Sequence, residues 1–177
     1  MYNVWPATVH ARYEGDAGHR RLLRKRRAGR ESRAYIAFVA TLAVRLAVAL
    51  LGLNVIGAVA AVILDLSAQF GTDAQAGDAV GAEIITVGSA TSAPWPPLLA
   101  LVVGAVLATR NGRAQSVGLV FLVLATLLMI IGVIGEYTSG IPFTGARHAV
   151  FVAISVALLL LTAALAATAA RALAGRT

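Results

Sequence analysis

From residue 35 onwards the chain is written in long apolar blocks separated by short polar breaks. The first block runs from about 35 to 66 and carries Asp65 near its far end. The second opens at Trp95-Pro96-Pro97 and reaches about 110, the third covers about 115–136 and the fourth about 147–171. A bilayer core asks for about 20 residues of helix, which the first, third and fourth blocks supply with residues to spare. The second is short, so it either recruits flanking residues or sits where the bilayer is thin. Proline is tolerated in the first turn of a helix and Trp favours the membrane interface, so Trp95-Pro96-Pro97 reads as a helix start. Arg110-Asn111-Gly112-Arg113 reads as a tight turn, with Asn-Gly able to take positive φ. The pattern predicts an all-α fold: an integral membrane four-helix bundle.

Finer periodicity predicts how these helices would pack. In lipid, helices associate through small residues that let backbones approach and through polar side chains that bond across the contact. Ala47, Asn54 and Ala61 recur every seven residues on the first helix, with Ala58 and Asp65 adjoining. Ala100, Gly104 and Ala108 recur every four on the second. Gly118, Ala125 and Gly132 recur on the third, and His148, Ser155, Thr162 and Ala169 share a face of the fourth. One such seam on every helix predicts a compact bundle.

The connections divide the chain into a basic arm over 1–33 and a membrane domain over 34–177. Gly15, Gly18, Gly29 and Pro6 interrupt the arm, which reads as largely flexible with a short helix around Arg20 to Arg27. A secretory signal has an apolar region of about 7–15 residues; the block after this arm is far longer, so an uncleaved anchor helix is the better reading. The connection 67–94 is acidic, with Asp73, Asp78 and Glu83 and no Lys or Arg. Within it, Ile84 to Val87 reads as a short strand or a plug on the helix ends.

Charge then orients the assembly. The 177 residues are 59% hydrophobic and 13% charged, with a net charge of +7, against about 25% charged in soluble domains. Cations cluster on the side that stays in the cytoplasm. Placing the arm, Arg110, Arg113, Arg171 and Arg176 there leaves Arg147 as the one cation opposite, beside Asp65, Asp73, Asp78, Glu83 and Glu136. Both termini are therefore expected inside. Frequent Ala and Arg with little Lys fits a bacterial inner membrane. Arg20, Arg21, Arg24, Lys25, Arg26 and Arg27 would contact anionic headgroups, at about 1 kcal/mol per basic residue near the surface, or an acidic protein partner. The arm lacks interleaved aromatics or a recognition module, so nucleic acid is not an expected partner.

Candidate chemistry is sparse. There is no cysteine, which excludes disulfides and thiolate metal sites. The P-loop, dinucleotide-binding, HExxH and GxSxG patterns are all missing, and the histidines lack a metal-ligand spacing. No cofactor, metal or catalytic residue is expected. Asn54 and Ser155 are intramembrane polar positions, most simply interhelical contacts. Asp65, eleven residues after Asn54, lies about 20° away around the helix. With Glu136, Arg147 and His148 it would form a polar cluster at the outer mouth, either a site or an ordinary interfacial network.

The expected function is non-catalytic: an accessory or assembly subunit, or a lipid-interacting scaffold, with a protein partner or a second copy of the chain. The alternative is a small ion or solute transporter acting as a homo-oligomer, with Asn54, Asp65, Glu136 and Ser155 as its polar path. A lipid-modifying enzyme, resting on Asp65, Glu136, Arg147 and His148 alone, comes third.

Overall fold

The computed structural model describes the backbone of residues 8–66, 88–138 and 143–175, and the side chains of these apart from 8–29, 32 and 33. Four helices account for almost all of them: α1 Thr8–Leu64, α2 Trp95–Ala108, α3 Arg113–Thr138 and α4 Gly145–Ala174. Among the described residues there is no strand, only an isolated antiparallel bridge between Ser89 and Ser92. The chain divides into two compact units, Met1–Ala37 and Phe38–Thr177. In the first, helical backbone begins at Thr8, so the six clustered basic positions from Arg20 to Arg27 lie on helix; their side chains fall outside the described residues. Ile84 to Val87 falls outside them entirely.

In the second unit the apolar blocks become helices whose outer faces stay apolar. Three stretches, Ala34–Leu64, Arg113–Thr138 and Gly145–Ala174, are long and apolar enough to cross a membrane. Only 28%, 33% and 28% of their most apolar windows is buried within the protein. Side chains such as Phe38, Val55, Ile63, Leu127, Ile131 and Leu160 are therefore exposed. So much exposed apolar surface is unsustainable in water and is what a lipid-facing helix requires.

The buried positions follow the predicted seams in large part, Ala100 and Gly132 being only half-buried. On α1, Val39, Ala43, Ala47, Leu50, Asn54, Gly57 and Ala61 are all buried at spacings of three or four, the stripe of a helix packed on one side. Ala47 and Leu50 join Leu101, Leu119, Leu122, Met129, Leu158 and Leu165 in one continuous core. α2 and α3 form a tight hairpin through the turn at Thr109–Gly112, where Gly112 takes φ +69° as the Asn-Gly signal anticipated. Their closest approach is at Gly104 and Gly118: a methyl group added to Gly118 would lie 2.7 Å from the Gly104 carbonyl oxygen. On α4, Ser155, Thr162 and Ala169 are buried, whereas His148 in the first turn is exposed.

α1 ends by a defined device. Asp65 adopts φ +52°, and the N–H of Leu66 donates to the carbonyl of Ala61 at 2.9 Å. This is a Schellman cap, with Asp65 in the left-handed position usually taken by glycine. Leu66 and Ala61, both fully buried, supply the apolar contact that accompanies it, together with Ala90 and Phe151.

Candidate functional site

The short second block is explained by what precedes it. α2 has only 14 residues, about 21 Å of helix. The segment from Gly88 to Pro94 is non-helical, with a tight turn at Ala90 and Thr91 closed by a bridge between Ser89 and Ser92, and Gly88 to Ser92 are all buried. It docks on the last third of α1, at Asn54 and Gly57. The Asn54 side chain takes the N–H of Ala93 on Oδ1 at 2.8 Å and donates from Nδ2 to the Leu50 carbonyl of its own helix at 2.9 Å. One turn on, the Thr91 hydroxyl donates to the Gly57 carbonyl at 2.7 Å. Asn54 lies ten residues before Leu64, about 15 Å along the helix, half the thickness of a hydrocarbon core.

Non-helical backbone beside a helix apolar enough to cross a membrane is tolerated in lipid only where protein covers it and its polar groups are bonded, and the local sequence meets both needs. Gly57 lets the segment touch the α1 backbone; any Cβ there would overlap the Thr91 carbonyl. Gly88, at φ +91°, turns the chain where a Cβ would meet the Ser92 carbonyl oxygen at 2.6 Å. Ser89 and Ser92 exchange backbone bonds at 3.0 and 3.2 Å, and their hydroxyl oxygens lie 2.7 Å apart. Prolines deal with the start of α2. The first four N–H groups of a helix have no partner within it, but here three of those positions are Pro94, Pro96 and Pro97, leaving only the N–H of Trp95.

Beside this segment lies a cavity of about 380 Å³, within the usual range for small-molecule sites of about 300–1,000 Å³. α3 and α4 contribute Leu128, Met129, Gly132, Val133 and Leu158, and Pro96 and Pro97 close the α2 side. Among the described residues, its polar lining consists of Asn54, Ser89, Ser92 and Glu136. Asn54 and the serines are buried; Glu136 is half-buried on the last turns of α3.

The anticipated polar residues are thus distributed differently from the expected grouping. Asn54 is an interelement contact, but its partner is the backbone of a non-helical segment. Ser155 is 1% exposed and its hydroxyl has no hydrogen-bond partner. The neighbouring threonines manage otherwise, Thr126 donating to Val123 and Thr162 to Leu158 within their own helices. Of Asp65, Glu136, Arg147 and His148, Glu136 lines the cavity, Asp65 caps α1, and Arg147 and His148 are exposed on the first turn of α4. An aromatic trio sits at that level, with the Phe151 ring 5.3 Å from Tyr137 and 5.7 Å from Phe143. Among the described residues, no group of three or more His, Cys, Asp or Glu is placed to hold a metal ion.

Gly57, Gly88, Ser89, Thr91 and Ser92 are the positions that reading the sequence missed. Gly57 carries a faint signal, since it continues the small-residue register between Asn54 and Ala61. The Gly-Ser-rich stretch carries only a weak turn signal, in the Gly and Ser that bracket Ile84 to Val87. No protein-family model matches the chain, and neither a curated protein nor a solved structure is similar to it.

Proposed function

We propose that the chain is a non-catalytic, multi-pass membrane protein that holds a lipid-like molecule in the cavity between α2, α3 and α4, as a lipid-interacting scaffold or accessory subunit. The observation that carries this reading is the cavity itself: walls that are mostly apolar, among helices apolar enough to cross a membrane, with Asn54, Ser89, Ser92 and Glu136 as the polar groups among the described residues. α2 and the segment before it together make the fourth crossing of a four-helix bundle. The distribution of Lys and Arg puts both termini in the cytoplasm, where the basic arm meets anionic headgroups.

Native mass spectrometry of the full chain, extracted gently from its own membrane, tests the binding role. A lipid-sized adduct that survives detergent exchange supports it, and a bare polypeptide under the same conditions refutes it. Topology is tested separately, because the chain has no cysteine and single thiols can be added cleanly. Asn111→Cys should react with an impermeant maleimide only from the cytoplasmic side and Ala146→Cys only from the opposite side. The reverse pattern would invert the orientation.

A second reading, a small transporter working as a homo-oligomer, draws on a different observation. A short helix entered through non-helical backbone, with a carboxylate, here Glu136, in the adjoining cavity, resembles the way transporter sites are built. It predicts that Glu136→Gln abolishes a measurable solute or ion flux in proteoliposomes. A scaffold would show no flux to abolish.

A further inference from the structure

We infer that the cavity takes a neutral amphiphile whose polar end is a carbonyl group, held by the spare N–H of Asn54 and the spare hydroxyl proton of the Ser89–Ser92 pair. This deepens the reading above and rests on it.

Hydrogen-bond geometry carries the argument. The Asn54 amide has one orientation: Oδ1 accepts the Ala93 N–H and Nδ2 donates to the Leu50 carbonyl. Turning it over would set donor against donor and acceptor against acceptor. A primary amide carries two N–H groups, and only one of these has a partner. Ser89 and Ser92 hold two hydroxyl protons between them, and the bond joining their oxygens at 2.7 Å uses one. The Thr91 N–H reaches the Ser89 oxygen at 3.4 Å, which occupies a lone pair and no proton. Among the neutral side chains described in the lining, two protons therefore remain.

Both belong to buried groups. Asn54, Ser89 and Ser92 are 3%, 5% and 8% exposed, and all three line the cavity. A donor buried without a partner carries a desolvation cost, which a ligand acceptor removes. The Asn54 amide is bonded to the residue next to Ser92, which puts the two donors on one stretch of wall. A carbonyl oxygen accepts two hydrogen bonds and brings no proton that needs an acceptor in return.

Charge selects a neutral ligand. No Lys, Arg or His is among the described lining residues, and none stands in 67–87 or 139–142. Two neutral donors do not compensate a buried anion. Glu136 already has an interaction of its own, and the carbonyl asks nothing of it. The remaining wall, from Leu128, Met129, Val133 and Leu158, suits an alkyl chain.

The experiment uses the full chain in nanodiscs of ether-linked phosphatidylcholine, which has no ester carbonyl, with empty nanodiscs as the baseline. Three probes of similar length differ at one end: methyl undecyl ketone, tridecane and dodecanoate. The ketone is expected to bind saturably about tenfold more tightly than either of the others, a difference of roughly 1.4 kcal/mol. With a carbon-13 label to pick it out, its carbonyl stretch should fall in frequency on binding, relative to the ketone dissolved in alkane. Ser89→Ala and Ser92→Ala should each stay within about twofold of the parent, because one hydroxyl proton survives in either. The double variant has none and should lose about fivefold. Gly132→Leu should remove saturable binding, because a Cβ at this lining position meets nothing within 4 Å and a longer side chain grows into open space. Methyl dodecanoate and a dodecyl-substituted benzoquinone, competed against the ketone, tell an acyl-ester lipid from a quinone as the source of the carbonyl.

Equal binding of ketone and tridecane, an unshifted carbonyl band, or dodecanoate binding as tightly as the ketone overturns the inference, and none of these needs a variant to fold. A double serine variant that binds like the single ones overturns it too, as does displacement by neither carbonyl competitor. If ketone and tridecane saturate alike and Gly132→Leu abolishes both, the cavity still holds a lipid-like molecule and only the carbonyl inference falls. If no probe saturates, the reading above falls with it.

Discussion

Two glycines on the same helix, five residues apart, should respond oppositely to the same substitution. Gly52 is exposed and a Cβ there meets nothing within 4 Å, whereas a Cβ on Gly57 would overlap the Thr91 carbonyl oxygen and lie 2.8 Å from its carbon. Gly52→Ala therefore returns only the helix-propensity gain, up to about 1 kcal/mol. Gly57→Ala receives the same gain but forces the segment from Gly88 to Pro94 to retreat by on the order of 1.5 Å to restore van der Waals separation. A shift of that size stretches the bonds from Thr91 to Gly57 and from Ala93 to Asn54, now 2.7 and 2.8 Å, beyond bonding range. Each bond contributes about 1 kcal/mol, and the buried amide of Ala93, left unpaired, adds about 1–3 kcal/mol more. A net loss of about 2–4 kcal/mol follows for Gly57→Ala. Equilibrium unfolding in mixed micelles of rising dodecyl sulfate fraction, followed by helical circular dichroism, measures both variants against the parent. If Gly57→Ala proves as stable as Gly52→Ala, the segment does not dock on α1 and the account of the cavity fails with it.

The same assay checks five further substitutions. Asp65→Gly should stabilise by about 0.5–1 kcal/mol, because glycine takes φ +52° without strain and removes a negative charge from a helix C-terminus; Asp65→Val should cost about 1–2 kcal/mol, and equal stability of the two would argue against the cap. Ser155→Ala should be neutral or stabilise by up to about 1 kcal/mol, since it removes a buried hydroxyl without a partner; a loss above about 1 kcal/mol would show that the hydroxyl is bonded after all. Gly118→Ala should destabilise by about 1–3 kcal/mol by overpacking the α2–α3 crossing, whereas Gly132→Ala, with open space around it, should not; comparable losses in both would contradict the close approach at Gly104.

Much of the architecture was legible because it depends on one-dimensional properties. Block length and apolarity alone marked the three helices long enough to cross a membrane. The seven-residue spacing of Ala47, Asn54 and Ala61 picked out a buried face, since a helix returns a side chain to the same side every two turns. Pro96, Pro97 and Gly112 announced a helix start and a turn, because each constrains φ locally. The second block was legible as short, but not the reason for its shortness.

Only the tertiary structure decided what the polar residues do. Asp65 and Glu136 read alike in sequence, as carboxylates near helix ends, yet one occupies a left-handed capping position and the other lines a cavity. Asn54 was legible as a buried amide, but its acceptance of the Ala93 N–H depends on where a segment 39 residues away comes to rest. The physical reason is range. Helix formation, turn chemistry and burial in lipid are set by neighbours within a few residues, whereas a cavity and the partners of a buried hydrogen bond are set by elements that meet only after the chain has folded.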